Sequence, residues 1–212
     1  MNWQPRLPQE IEVESFRRIE AQVGGHDLPP KVWSVVRRMI HTSADLEYLQ
    51  TVRVHPRAIA AGVEALKQGC LVGTDTRMLL AGISSGRLGR LGVEPFCLMD
   101  DPEVAQDAVR QGTTRAAVAV ERALPRLAGG IVAIGNAPTA LLRLLELLDA
   151  GAPPPALVVG LPVGFVNAAE SKEALSRQNC PYITALGPKG GSAVTAAVVN
   201  ALAIMALEEM DS

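Results

Sequence analysis

The sequence predicts an α/β protein: a doubly wound, mainly parallel five-stranded sheet with helices on both faces, preceded by an N-terminal helical segment. Three observations carry that prediction. After residue 69, five short apolar runs alternate with helix-patterned stretches, the grammar of a parallel sheet covered on both sides. Before residue 69 the apolar spacing is helical. The chain is 48% hydrophobic but only 3% aromatic, and such an aliphatic, alanine-rich core suits close helix-on-sheet packing. At 212 residues it is expected to form one domain over 1–212.

The elements follow in order. Residues 10–23 place Ile11, Phe16, Ile19 and Val23 at roughly helical spacing, and Gly24-Gly25 ends that helix. Pro29-Pro30 opens the next. In KVWSVVRRMIHTSAD, residues 31–45, Val32, Val35, Val36, Met39 and Ile40 form an apolar stripe for a buried face. Lys31, Ser34, Arg38 and His41 share the opposite side, with His41 at the C-terminal end. Pro56 starts a third helix, with Ile59, Val63 and Leu66 on one face and Gly69 closing it. The strand-like runs are CLVGTD, EPFCLMDD, IVAIGNAP, ALVVGLPVG and PYITAL. Their helical followers are TRMLLAGI, one long segment over 103–127 begun by Asp101-Pro102, residues 139–148, residues 168–176, and a last helix from Gly190-Gly191-Ser192 to Met210. Right-handed crossovers make the arrangement doubly wound.

Several function classes lose support at this level. A net charge of −2 supplies no basic excess for nucleic acid. Cys70, Cys97 and Cys180 are far apart and odd in number, which argues against a disulfide framework or a zinc site. The opening MNWQPRLPQEIEVESF lacks the charged and apolar regions of a signal peptide, and the apolar run 193–207 is short for a bilayer span, so a cytoplasmic chain is expected. GNAPTA lacks the spacing of a dinucleotide fingerprint, and GPKGGS has its lysine before rather than after the last glycines. No GxSxG elbow occurs.

In open parallel sheets, ligands collect beyond the carboxyl ends of the strands, where helix N-termini point N–H groups at anions. Those ends here carry Gly73-Thr74-Asp75, Gly135-Asn136-Ala137-Pro138-Thr139, residues 160–164 and residues 187–192. A cradle for a ligand with several negative groups and the ordinary need for glycine in tight turns both fit them. His26 and His55, in a loop and at a helix start, read as surface or capping residues. His41 points away from the apolar stripe and is followed by Thr42-Ser43 and Asp45; it serves a cleft or a partner, or it is a solvated helix-terminal residue. Arg38 carries the same ambiguity. Arg115 follows the helix-weakening Gly112-Thr113-Thr114 and faces a cleft or bulk water. Ser15 sits beside Phe16 with nothing local to mark it.

Six stretches nevertheless resemble one family. RRMIHTSAD, GTDTRMLLAGI, GTTRAA, VAIGNAPTALLRLLEL, LVVGLPVGFVNAAESKEAL and KGGSAVTAAVVNAL are similar to segments of the precorrin-8X methylmutases, or precorrin isomerases, of cobalamin biosynthesis. The likeness runs over residues 11–207. It implies an isomerase with no cofactor and no metal site. The reaction moves the methyl group on C-11 of precorrin-8X to C-12, giving hydrogenobyrinate, or performs the same step on cobalt-precorrin-8, giving cobyrinate. On the matched motifs His41 falls as proton donor and acceptor. Ser15 and Arg38 fall as substrate contacts, and Arg115 as a contact to a substrate carboxylate. The resemblance also implies a polycarboxylate tetrapyrrole substrate and a homodimer with sites near the subunit boundary; neither nucleic acid nor membrane is expected as a partner. A corrinoid-binding carrier without catalysis is the alternative. One departure stands out: many members have an arginine in a GRxGGS-type segment where this chain has Pro188, leaving Lys189 or a backbone N–H to take that role.

Overall fold

The computed structural model describes residues 7–212; residues 1–6, where the segment read as lacking a signal peptide begins, lie outside the described residues. Two helices come first, α1 (Pro8–Val23) and α2 (Pro30–Ser43), each opened by a proline where the helix has no use for its missing N–H. One turn, α3 (Tyr48–Thr51), leads into β1 (Val52–Val54), and α4 (Ala58–Lys67) follows. Next come β2 (Val72–Thr74), α5 (Arg77–Gly82), α6 (Ser85–Arg90) and β3 (Pro95–Cys97). After them run α7 (Val104–Gln111), α8 (Arg115–Ala123), a 3-10 turn over Leu124–Leu127, β4 (Ile131–Ile134) and α9 (Pro138–Asp149). The chain closes with β5 (Leu157–Gly160), α10 (Ala168–Leu175), β6 (Tyr182–Ala185) and α11 (Ser192–Met210).

The strands form one sheet in the order β1-β6-β5-β4-β2-β3, parallel throughout except that β1 runs antiparallel to β6. The five apolar runs became β2 to β6. The sheet has six strands rather than five because Val52-Arg53-Val54 pairs with Ile183–Ala185 on the edge. Three residues are too few for an alternation to show in the sequence. Chain direction across the sheet reverses between β2 and β4, since β3 lies on one side of β2 and β4 on the other. That is the topological switch point.

Alternation along the strands sets the layers. Ile131, Ala133, Leu157 and Val159 face one cluster with residues of α2, α4 and α11; Val132, Ile134 and Val158 face a second with residues of α7 to α10. The long apolar helix α11 has the length and composition of a membrane span, and here it lies at the centre of the first face against α2, α4 and α5. Close packing is built in by Gly62 of α4, where a Cβ would stand 2.8 Å from the Leu157 side chain. The single helix expected over 103–127 is broken instead. Gly112, at φ 65, terminates α7 in the left-handed region, and Thr114 caps α8 by accepting the Ala117 N–H at 3.2 Å.

Candidate active site

The apolar face of α2 buries Trp33, Val35, Val36, Met39 and Ile40, and this fixes its other side toward α1 and solvent. His41 is exposed at the helix end, its ring 5.4 Å from that of Phe16 in edge-on contact. Arg37 and Arg38 lie over the same phenyl ring, at 4.2 and 5.3 Å. Arg38 Nη1 also donates to Glu12 Oε1 at 2.8 Å, and Arg37 pairs with Glu20. Ser15 is in the neighbouring turn of α1, with its hydroxyl donating back to the Ile11 carbonyl at 2.7 Å. Ser15, Arg38 and His41 thus belong to one α1–α2 cluster.

That cluster reaches the carboxyl edge of the sheet through an ion pair. After His41 the chain turns at Ala44, in the left-handed region at φ 55. Lys189, in the loop between β6 and α11, donates to Asp45 Oδ2 at 2.6 Å and to Glu47 Oε2 at 2.8 Å. The ammonium holds the Asp45 carboxyl below the usual carboxylate range, and the two carboxylates push the lysine up. Lys189, the residue left to replace the missing arginine, is therefore already neutralised by this chain's own acids. The β6–α11 loop is stitched in turn to the loop after β5. Gly164 N–H donates to the Pro188 carbonyl at 3.1 Å and Gly191 N–H to the Leu161 carbonyl at 2.8 Å. Gly190 is obligatory there, because a Cβ would run into the Leu161 carbonyl. Beneath the two loops, Lys172 is wholly buried and donates to the Lys189 carbonyl at 2.5 Å. With no carboxylate beside it, burial lowers its pKa to about 8.

At the switch point the buried Asp75, just past β2, accepts the N–H groups of Gly135, Asn136 and Ala137 at 3.0, 2.8 and 2.8 Å. Burial pushes its carboxyl up, against the pull of those donors. The N–H groups at the entrance to α9 are therefore already taken by this chain's own carboxyl group. Beside it opens a crevice of about 530 Å³ lined by Thr76, Arg77, Asp100, Pro102, Arg115 and Asn136 among others. Arg115, the first residue of α8, is exposed on that crevice, and Thr114 ties α8 to α9 through a 2.9 Å hydrogen bond to Thr139.

The carboxyl edge thus carries two groups of candidates: His41, Arg38 and Ser15 beyond β6, and Arg115 near β2 and β3. Among the described residues no hydrogen bond or ion pair joins the two groups. Roughly three strand spacings, about 14 Å, separate β6 from β2. A larger apolar groove of about 910 Å³, lined by Leu28, Val32, Val52, Val54, Ile59 and Val63 with His55 at its edge, holds none of the four. It sits toward the other end of α2. His55 accepts the Arg57 N–H on Nδ1 at 3.2 Å, and His26 stacks on Trp33 at 4.2 Å. Sequence reasoning missed Asp75 and Lys172, whose buried charges have no local signature.

The carboxyl rim thus carries glycine-rich loops over one buried lysine and one buried aspartate, with a histidine and paired arginines beside it. Comparison with known proteins makes the class specific. The family model for precorrin-8X methylmutase matches residues 10–205. A cobalt-precorrin-8 methylmutase of Priestia megaterium is 45% identical over 199 residues, covering 94% of this chain and 88% of the relative. A precorrin-8X methylmutase of Pseudomonas aeruginosa is 43% identical over 197 residues, 92% of this chain and 94% of the relative. The crystal structure of precorrin-8x methyl mutase from Thermus thermophilus superposes with a TM-score of 0.87 at 42% identity, covering 94% of this chain and 98% of that one. The chain belongs to the precorrin-8X methylmutase family.

Proposed function

We propose that the protein is an isomerase of cobalamin biosynthesis. It moves the methyl group from C-11 to C-12 of precorrin-8X or of cobalt-precorrin-8, with His41 as the proton donor and acceptor. The observation that carries this reading is the setting of His41: it ends a helix whose following loop is clamped by Lys189 to the carboxyl rim of the sheet. Ligands of open parallel sheets collect at that rim.

The chemistry needs little from the protein. The methyl group leaves one ring carbon and bonds to its neighbour, so no atom enters or departs. A proton given at ring C polarises the conjugated system and returns to the same imidazole once the shift is complete. Proton transfer by a positioned group of this kind contributes on the order of 10²–10⁴-fold. The other candidate residues bind and orient. A substrate carboxylate reaching Arg38 exchanges with Glu12, whose carboxylate holds that guanidinium in the free protein. Arg115 takes a second carboxylate arm across the rim, and the Ser15 hydroxyl gives up its bond to Ile11 for a substrate oxygen.

The reading extends to assembly as a homodimer with the sites near the boundary. None of the residues of α1 is buried, and Leu7, Ile11 and Val13 stand exposed at its start. Sedimentation at micromolar concentration is expected to give a dimer; a monomer under conditions of full activity overturns that part.

The deciding experiment mixes purified protein with precorrin-8X, and separately with the cobalt-bound form, and follows conversion by absorbance. Turnover of either supports the isomerase and says which substrate it takes. Tight product binding without turnover favours the carrier instead. His41→Ala is expected to abolish turnover while keeping the fold by circular dichroism. Full activity in that variant removes His41 from the mechanism.

A further inference from the structure

The segment between β5 and α10 carries a feature that the proposed mechanism leaves unused. Phe165 is 97% exposed, with Val163 and Val166 exposed on either side of it. The chain is poor in aromatics, and among the described residues every other ring has a place. Phe16 packs on His41, His26 stacks on Trp33, Tyr48 is buried, Phe96 lies under Arg126, and Tyr182 packs on His55. Among the described residues Phe165 alone stands almost wholly in solvent, outside every aromatic and cation–π pair.

Its presentation is built rather than slack. Gly164, at φ 150, and Asn167, at φ 62, bracket the tip in conformations that ordinary side chains rarely adopt. Gly164 is held by the Pro188 carbonyl, and α10 is anchored immediately afterwards by the buried Ala168, Ser171, Lys172 and Leu175. The same Pro188-Lys189 segment is paired to Asp45 and Glu47, just after His41. The tip and the proposed proton donor are therefore mounted on one continuous piece of the rim.

We propose that Phe165, flanked by Val163 and Val166, is a substrate-binding lip whose ring lies flat against an apolar face of the bound macrocycle. This rests on the tetrapyrrole reading above and adds to it the part of the site that takes the conjugated ring rather than its carboxylate arms. A conjugated macrocycle offers an apolar π-face, and an aromatic ring presented at the rim by a fixed backbone meets it in offset stacking without first leaving a fold contact. A second copy of the chain is the competing occupant, and sedimentation of the Phe165 variants separates it from the substrate.

The test measures the affinity of Phe165→Ala, Phe165→Leu and Phe165→Trp for hydrogenobyrinate by absorbance titration, with sedimentation, thermal unfolding and steady-state kinetics alongside. Phe165→Ala is expected to weaken binding about ten- to a hundredfold. KM should rise with kcat at saturation changing much less, and with oligomeric state and unfolding temperature as in the wild type. Phe165→Trp restores affinity and Phe165→Leu restores it only in part. Wild-type affinity in Phe165→Ala overturns the proposal, and so does a loss of affinity that tracks dissociation of the oligomer. If wild-type protein turns over substrate and Phe165→Ala binds equally well, this inference falls alone. If wild-type protein binds neither substrate nor product, the functional reading falls and takes the lip with it.

Discussion

At the scale of single residues, the buried charges set the terms. Lys172 is an ammonium sealed under two glycine-rich loops with one carbonyl for company. Such a group is costly to keep protonated, and its pKa falls from 10.5 to about 8. The folded protein therefore holds this proton less tightly than the unfolded chain does. Between pH 8 and 10.5 the unfolded state carries the extra proton, and stability attributable to this group rises with pH across that window. Urea unfolding of wild type and Lys172→Met, compared from pH 7 to 10.5, is expected to show the difference moving toward the wild type by about 3 kcal/mol. A difference that stays constant over that range means that the amine is not strained by burial. Asp75 shows the complementary arrangement, a buried carboxyl whose three converging N–H donors only partly counter the cost of burial.

At the scale of elements, the question is what keeps the end of α2 in place. Its apolar stripe packs the helix but says nothing about the direction of the loop beyond Ser43. Lys189 supplies that, from 144 residues away in sequence from Asp45. Exposed ion pairs add little to global stability, so Lys189→Met is expected to melt close to the wild type. The loop that follows His41 loses its tether, and on the role proposed for His41 kcat is expected to fall roughly tenfold or more, since a small misplacement of a proton donor costs that much. Unchanged kcat would show that α2 positions His41 unaided. The same distance explains what the sequence revealed and what it withheld. Runs such as IVAI and LVVG announce β4 and β5 because each is apolar throughout and bounded by glycine. The stripe through Val35, Val36, Met39 and Ile40 announces α2. By contrast, β1 exists because β6 offers it an edge, and the break after Gln111 depends on Gly112 taking a left-handed turn. The candidate site residues came only through family motifs, because the contacts that set them in place, Glu12 for Arg38 and Lys189 for the loop after His41, lie on other elements.

At the scale of the molecule, the candidates for substrate contact are spread along the whole carboxyl edge. His41, Arg38 and Ser15 stand beyond one end, and Arg115 lines the crevice at the switch point. A group so far from the reacting ring binds ground state and transition state alike, so its loss acts on affinity rather than on the chemical step. Arg115→Ala is expected to raise KM roughly tenfold, the scale of a charge-assisted hydrogen bond, with kcat preserved. A fall in kcat at unchanged KM would place Arg115 at the reacting ring instead.

The helix at the centre of the first face also bears on how the chain comes to be folded. Ser192–Met210 follows every strand in sequence, yet α2 and α4, synthesised more than a hundred residues earlier, bury their apolar sides against it. At a synthesis rate of about 5–20 residues per second, roughly 6 to 30 seconds separate those two helices from their partner. During that interval the valine and isoleucine stripe of α2 is open to solvent and to chaperones. The four helices on the opposite face, α7 to α10, find their strands within their own stretch of chain. The half of the core that packs α2 can therefore close only after Ser192–Met210 has been made.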